Sequence, residues 1–121
     1  MTTDGMPNSH LVEIAEAKVA GYLLNSGHPD GASKAAFFCG LGYSQSDWQR
    51  LRRALAELAH AGLVRAIKTT RHGVKYIVDG ELKALRGGSA TLRTIWIIDN
   101  GSEVPRLVTA YPMGDLDDER A

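Results

Sequence analysis

A few polar side chains in this 121-residue sequence are of types, and at places, that could do chemistry. His28 lies in Gly27-His28-Pro29, between the end of one helical pattern and the start of the next, and Lys34 follows soon after. Pro29 restricts the backbone at that point. An imidazole and an ammonium held on adjacent structured segments can move a proton near neutral pH and offset phosphate charge. In the second half of the chain, Arg93 and Thr94 interrupt an otherwise apolar strand pattern, and Thr109 and Tyr111 interrupt the last one. Alternation places Thr109 and Tyr111 on one face, opposite Val108 and Ala110. A polar side chain in a buried strand needs a partner or a purpose. A threonine bonded across strands and a tyrosine at the sheet rim would meet that need as well as a binding site would.

The remaining histidines carry less. His10 and His60 fall at or within helical patterns, and His72 lies in a turn beside Gly73, so local structure accounts for all three. There is no Walker loop, dinucleotide fingerprint, paired-histidine zinc pattern or nucleophile elbow. The lone Cys39 has no partner for a disulfide or a thiolate metal site. Acid–base chemistry by single side chains, or plain binding, is what these absences leave. No metal and no cofactor is expected.

The elements that must position these residues follow from periodicity. Apolar Leu11, Ile14, Ala15, Val19, Tyr22 and Leu23 predict an amphipathic helix from His10 to about Leu24, stopped by Asn25-Ser26-Gly27 and Pro29. Asp30 is a candidate cap for a short second helix through Phe38. Ser44 and Asp47 resemble a capping box for a third, bearing Trp48, Leu51, Leu55 and Leu58, with Arg50, Arg52 and Arg53 outward, ended by Gly62. The period then switches to two. Leu63–Thr70 and Val74–Val78 flank a turn at Arg71-His72-Gly73, and Glu81–Leu85 reads as a weaker strand or loop. Thr91–Ile98 reads as a central strand, and Asp99-Asn100-Gly101 turns into a last strand, Arg106–Tyr111. Two to three helices followed by a roughly four-stranded antiparallel sheet is an α+β fold, with helices on one sheet face and the other face free for a site.

Length and charge set the outer limits. The chain suits a single domain over residues 10–112, preceded by a flexible leader, 1–9, and followed by an acidic disordered tail, 113–121. No apolar run approaches the roughly 18–20 residues of a membrane span, and no signal pattern opens the sequence, so the expectation is a cytoplasmic protein without a membrane partner. Formal charge is zero, but between Gly27 and Pro112 twelve basic residues face seven acidic ones, a net of +5. A basic body is compatible with nucleic acid and equally with ordinary solvated charge.

Longer segments resemble a known family. Tyr22-Leu23-Leu24-Asn25, then His28-Pro29-x-Gly31-x-x-Lys34-Ala35-x-Phe37-Phe38 and Gly40-x-Gly42-Tyr43, look like an uncharacterised bacterial domain family found in polymorphic toxins and small stand-alone toxin-like genes. Gly73-Val74-Lys75-Tyr76, Arg93-Thr94-Ile95-Trp96 and Pro105-Arg106-Leu107-Val108-Thr109-Ala110-Tyr111-Pro112 carry the same resemblance, which spans roughly Leu11–Pro112. The ending Val-Thr-Ala-Tyr-Pro also resembles the last strand of the barnase, EndoU, colicin D and RelE-like ribonuclease superfamily. The stretch Glu81–Ala90 departs from it in lacking a Pro-Asp-Gly turn.

The resemblance implies a metal-independent endoribonuclease of the toxin–antitoxin or polymorphic-toxin type, working on RNA and held in check by a cognate antitoxin or immunity protein. RNA brings its own nucleophile, the 2′-hydroxyl. His28 is then the candidate general base or acid, with Lys34, Lys75 and Arg93 stabilising phosphorane charge. Thr109 would hydrogen-bond a phosphate oxygen, and Tyr111 would donate a proton or stack on a base. Trp96 is a candidate stacking residue and Arg106 a candidate RNA contact. Two other readings stand beside this one. A winged-helix DNA-binding module would use Arg50, Arg52 and Arg53 with the hairpin at Arg71-His72-Gly73 as its wing; a non-catalytic interaction domain would have its charges scattered.

Overall fold

Gly62 divides the chain into a helical half and a sheet half. The computed structural model describes residues 5–113; residues 1–4 of the expected leader and 114–121 of the expected tail lie outside the described residues. The helices are α1 (Glu16–Lys18), which runs on into a wider-wound turn over Val19–Leu23, α2 (Ala32–Gly40) and α3 (Trp48–Ala61). The strands β1 (Leu63–Thr69), β2 (Gly73–Lys83), β3 (Ser89–Asp99) and β4 (Arg106–Pro112) form one antiparallel sheet in the order β1-β2-β3-β4. This is the α+β arrangement that the change of period predicts.

One face of the sheet carries the core. Leu51, Leu55, Leu58 and Ala59 recur along α3 at three- and four-residue steps and are buried, while Arg50, Arg52 and Arg53 face outward. They join Val19, Leu23 and Phe38 from the other helical segments against Val78, Leu82, Leu92, Trp96, Leu107 and Ala110 of the sheet. Trp96 is fully buried. Its Nε1 donates to Thr94 Oγ1 at 2.7 Å, and Thr94 Oγ1 donates to the Val78 carbonyl at 2.8 Å. Thr94 is therefore bonded across strands and belongs to the core.

Four local expectations change. The pattern read as a helix from His10 is instead a 3-10 turn at Ser9–Leu11, then an extended segment. The Glu13 amide donates to the Pro105 carbonyl at 2.8 Å and the Leu107 amide donates to the Glu13 carbonyl at 3.0 Å. Pairing with the free edge of β4 outweighs a helical apolar pattern that is too short to hold by itself. Met6, within the expected leader, is buried in the core. Neither Asp30 nor Ser44 forms a side-chain cap, since Gly31 is the N-cap of α2 and Ser44 Oγ pairs with Ser46 Oγ at 3.2 Å. Finally, β2 continues straight through Gly80 to Lys83 and pairs with β3 along its whole length. A side chain at Gly80 would meet Leu58 of α3 at 2.9 Å, so this glycine marks the close approach of helix to sheet and not a strand end. The turn at Arg71-His72-Gly73 joins two strands of this sheet, and Asn100 donates to its Arg71 and His72 carbonyls.

Candidate active site on the open sheet face

The opposite face of the sheet carries no helix across its centre among the described residues. Registry places Lys68, Lys75, Ile77, Asp79, Arg93, Ile95, Ile97, Arg106, Thr109 and Tyr111 there. Two bulges shape it. In β4 the register shifts so that Trp96 opposes Leu107 and Ile95 opposes Thr109, leaving Val108 as the extra residue. Arg106 and Thr109 are an odd number of positions apart, and only this bulge lets both face the same side. A shift between Val64 and Ala66 in β1 does the same for Arg65.

Arg93 is anchored at the middle of this face. Its Nε and Nη2 donate to the two carboxylate oxygens of Asp79 at 2.8 and 2.9 Å. The Asp79 carboxylate, with Tyr111 alongside, holds the guanidinium firmly in its charged form. Arg65 Nε lies 3.6 Å from the same carboxylate, so two arginines share one acid and the triad keeps a net positive charge. At the far end Arg106 forks onto Asp99 at 2.6 and 3.0 Å. That fork holds the Asp99 carboxyl below its ordinary range.

The helical half reaches this face at the β4 edge through Tyr22. A side chain at Gly31 would collide with the Tyr22 carbonyl, so glycine lets the loop carrying His28 and the start of α2 close onto the Tyr22 turn. There the His28 ring stands edge-on to the Tyr22 ring at 5.1 Å between centroids. Lys34 Nζ and Lys18 Nζ sit 5.5 and 5.4 Å from the centre of the same ring. The Tyr22 phenol is pulled below its ordinary pKa by Thr109 first, then by Lys34 and Lys18, against an opposing effect of burial. Thr109 Oγ1 itself is buried and has no fully formed hydrogen bond, the sort of orphan a bound group would satisfy. His28 Nδ1 accepts the Asp30 amide at 3.0 Å. That contact puts the proton of the neutral imidazole on Nε2, leaving the ring a hydrogen-bond donor on its outer side.

The structure thus gathers His28, Lys34 and Thr109 around Tyr22, with Tyr111 and Arg93 next along the same face. Lys75 and Arg106 share the face but lie toward its other end, opposite Ile97 in the register. Trp96 is on the wrong side: a fully buried indole cannot stack on a base. Tyr22 is the residue that the sequence pattern hid, because it falls on the apolar repeat of a helix and reads as core. Among the described residues no three of His, Cys, Asp and Glu gather in a way that could hold a metal ion, and no helix is long and apolar enough to cross a membrane.

By its architecture this is an α+β domain that packs its helices on one side of a four-stranded meander and collects titratable groups at the edge of the other. The chain belongs to the family described as a domain of unknown function, DUF6883, whose model matches residues 5–114. No curated protein matches it. Its fold is similar to that of a chain in the solved contact-dependent growth inhibition toxin–immunity protein complex from Klebsiella pneumoniae 342. The TM-score is 0.64 at 12% identity, over 87% of this chain and 96% of that one. At that identity the likeness is one of fold.

Proposed function

We propose that the chain is a ribonuclease toxin that cleaves RNA without a metal, acting in the cytoplasm and neutralised by a cognate immunity protein or antitoxin. The observation that carries this reading is the convergence of Tyr22, His28 and Lys34 with Thr109 at the β4 edge. Residues far apart in sequence meet there, and each is of a type that phosphodiester chemistry uses. The fold shared with a chain of a toxin–immunity complex, and the family resemblance of the motifs, point the same way.

The reaction would run as follows. Tyr22 acts in its phenolate form, which Thr109, Lys34 and Lys18 favour, and takes the proton of the 2′-hydroxyl, whose oxygen attacks the adjoining phosphorus. Lys34 and Lys18 offset the charge on the phosphorane, and the His28 Nε2–H donates to a non-bridging oxygen. The Thr109 proton, which serves the Tyr22 phenolate first, turns to a second non-bridging oxygen once Tyr22 is protonated. As the P–O5′ bond breaks, Tyr111 passes its proton to the leaving 5′-oxygen. The products are a 2′,3′-cyclic phosphate and a 5′-hydroxyl end. Arg93 acts mainly by holding Tyr111, because its own fork is occupied by Asp79. This moves the base from His28, the first candidate on sequence grounds, to Tyr22.

Inducible expression of wild type beside Tyr22→Phe, His28→Ala and Arg93→Ala, followed by mapping of cellular RNA ends, tests the reading. New cyclic-phosphate ends with growth arrest, lost in Tyr22→Phe at equal protein level, are expected. Wild-type expression that produces neither would overturn it and leave a binding role, such as the immunity side of a toxin pair.

A further inference from the structure

Beside the Tyr22 cluster lies a second set of cations. The extended segment at Val12–Ala15, α3 and the start of β4 enclose a cavity of about 700 Å³. Lys18, Arg52, Arg53 and Arg106 line it, with Glu13 as the one carboxylate among the lining residues. Arg106 is occupied by Asp99, but Lys18, Arg52 and Arg53 enter no ion pair among the described residues. The rest of the wall is largely apolar, including Val12, Ala56 and Leu107. At the rim the Arg52 guanidinium stacks over the Trp48 ring at 4.8 Å, which orients it and leaves a flat cationic surface.

Lys18 belongs to both places. It lines the cavity, and its Nζ stands 5.4 Å from the centre of the Tyr22 ring. The cavity therefore adjoins the group proposed to start the cleavage. Its volume lies within the range of small-molecule sites, roughly 300–1,000 Å³. The lining joins unpaired cations to apolar surface, which matches the two parts of a nucleotide, phosphate and base.

We propose that this cavity is a nucleotide subsite of the enzyme, holding the residue next to the scissile phosphate of a single-stranded RNA. Lys18 and Arg53 take the flanking phosphate, and the base lies between Arg52 and the apolar wall. The inference rests on the ribonuclease reading of the Tyr22 cluster, so its test is a binding measurement that needs no cleavage.

The experiment is fluorescence anisotropy of the full chain with a labelled, uncleavable 2′-O-methyl hexanucleotide across a salt series. The Arg52→Gln/Arg53→Gln double variant changes only exposed side chains of α3. It should bind about tenfold more weakly at low salt and lose about 0.7 from the logarithmic salt slope, since each phosphate contact on a single strand contributes about 0.7 and Arg53 is the one of the two that faces phosphate. Lys18→Gln, on a different element but on the same phosphate, should lose no more than that. Arg86→Gln, exposed in the β2–β3 turn at the opposite end of the sheet from the start of β4, should bind like wild type. Equal affinity and slope in wild type and the double variant overturn the subsite, as does a wild type that ignores the oligonucleotide but binds an acidic peptide. Binding that depends on the cavity, with no cleaved RNA in cells, keeps the subsite and removes the nuclease. Cleavage with cavity-independent binding does the reverse.

Discussion

Thr94 and Thr109 lie on neighbouring strands, face opposite sides of one sheet, and are treated in opposite ways. Thr94 is fully buried and fully used, donating to the Val78 carbonyl and accepting from the Trp96 indole. Thr109 has a buried hydroxyl that stands near the Tyr22 phenol without a formed hydrogen bond. An unsatisfied buried hydroxyl costs free energy unless something repays it. The contrast sets a face whose polar groups are satisfied within the fold against one that leaves a buried hydroxyl unsatisfied. Charged pairs repeat the pattern, since the Asp79 carboxylate and both its arginines lie on the open face.

The largest effect that would sharpen this contrast is on the core face. Trp96→Ala should cost about 3–5 kcal/mol of stability, read by thermal or denaturant unfolding. Thr94→Val, which strands the Trp96 N–H, should cost about 1–3 kcal/mol. Thr109→Val should change stability by less than about 0.5 kcal/mol while lowering RNA cleavage about tenfold. If the two threonine variants lost stability equally, the division of labour between the faces would be refuted.

Asp79→Asn separates stability from charge. Asp79 and Arg93 are only 13% and 29% exposed at their side chains, so the loss should cost about 1–2 kcal/mol. The same change leaves Arg65 and Arg93 free, and binding of a single-stranded oligonucleotide at low salt should tighten. Unchanged binding would show that these arginines are structural only.

A smaller effect lies in the tyrosines. Tyr22 should ionise before an ordinary phenol, because of Thr109, Lys34 and Lys18, and Tyr43 after it, mainly because of its burial. The depressed Tyr22 value makes a contribution to stability that is full above the unfolded pKa and is lost as pH falls through the folded one. The raised Tyr43 value acts oppositely: its contribution is full below the unfolded pKa and is lost as pH rises through the folded one. Ultraviolet titration at alkaline pH reads the order, and Tyr22→Phe should delete the earliest step.

Least of all is expected from Asp99 and Arg106. Arg106 depresses the Asp99 pKa, so the pair helps above the ordinary carboxylate pKa and is lost as pH falls through the lower folded value. Both side chains are largely in solvent, and about 0.5 M salt should erase the difference between wild type and Arg106→Gln.

Much of this molecule was legible before any fold was seen. The period change at Gly62 follows from side-chain geometry alone, and so do the apolar stripe of α3 and the four-strand count. Thr109 and Tyr111 stood out because they interrupt an apolar strand pattern, and His28 and Lys34 because they sit on adjacent structured segments. What local pattern could not decide were the matters settled by distant contacts. The segment Val12–Ala15 became an edge partner of β4 because an open strand edge offered it hydrogen bonds. The bulge at Val108 moved Arg106 onto the face of Thr109, a shift that strict alternation denies. Trp96 went inward, where the Thr94 hydroxyl satisfies its N–H. Tyr22 kept the spacing of a core residue while its hydroxyl met Thr109, far away in sequence. Periodicity reports which side of an element is apolar; only the packed structure decides what the polar tip of an amphipathic side chain touches.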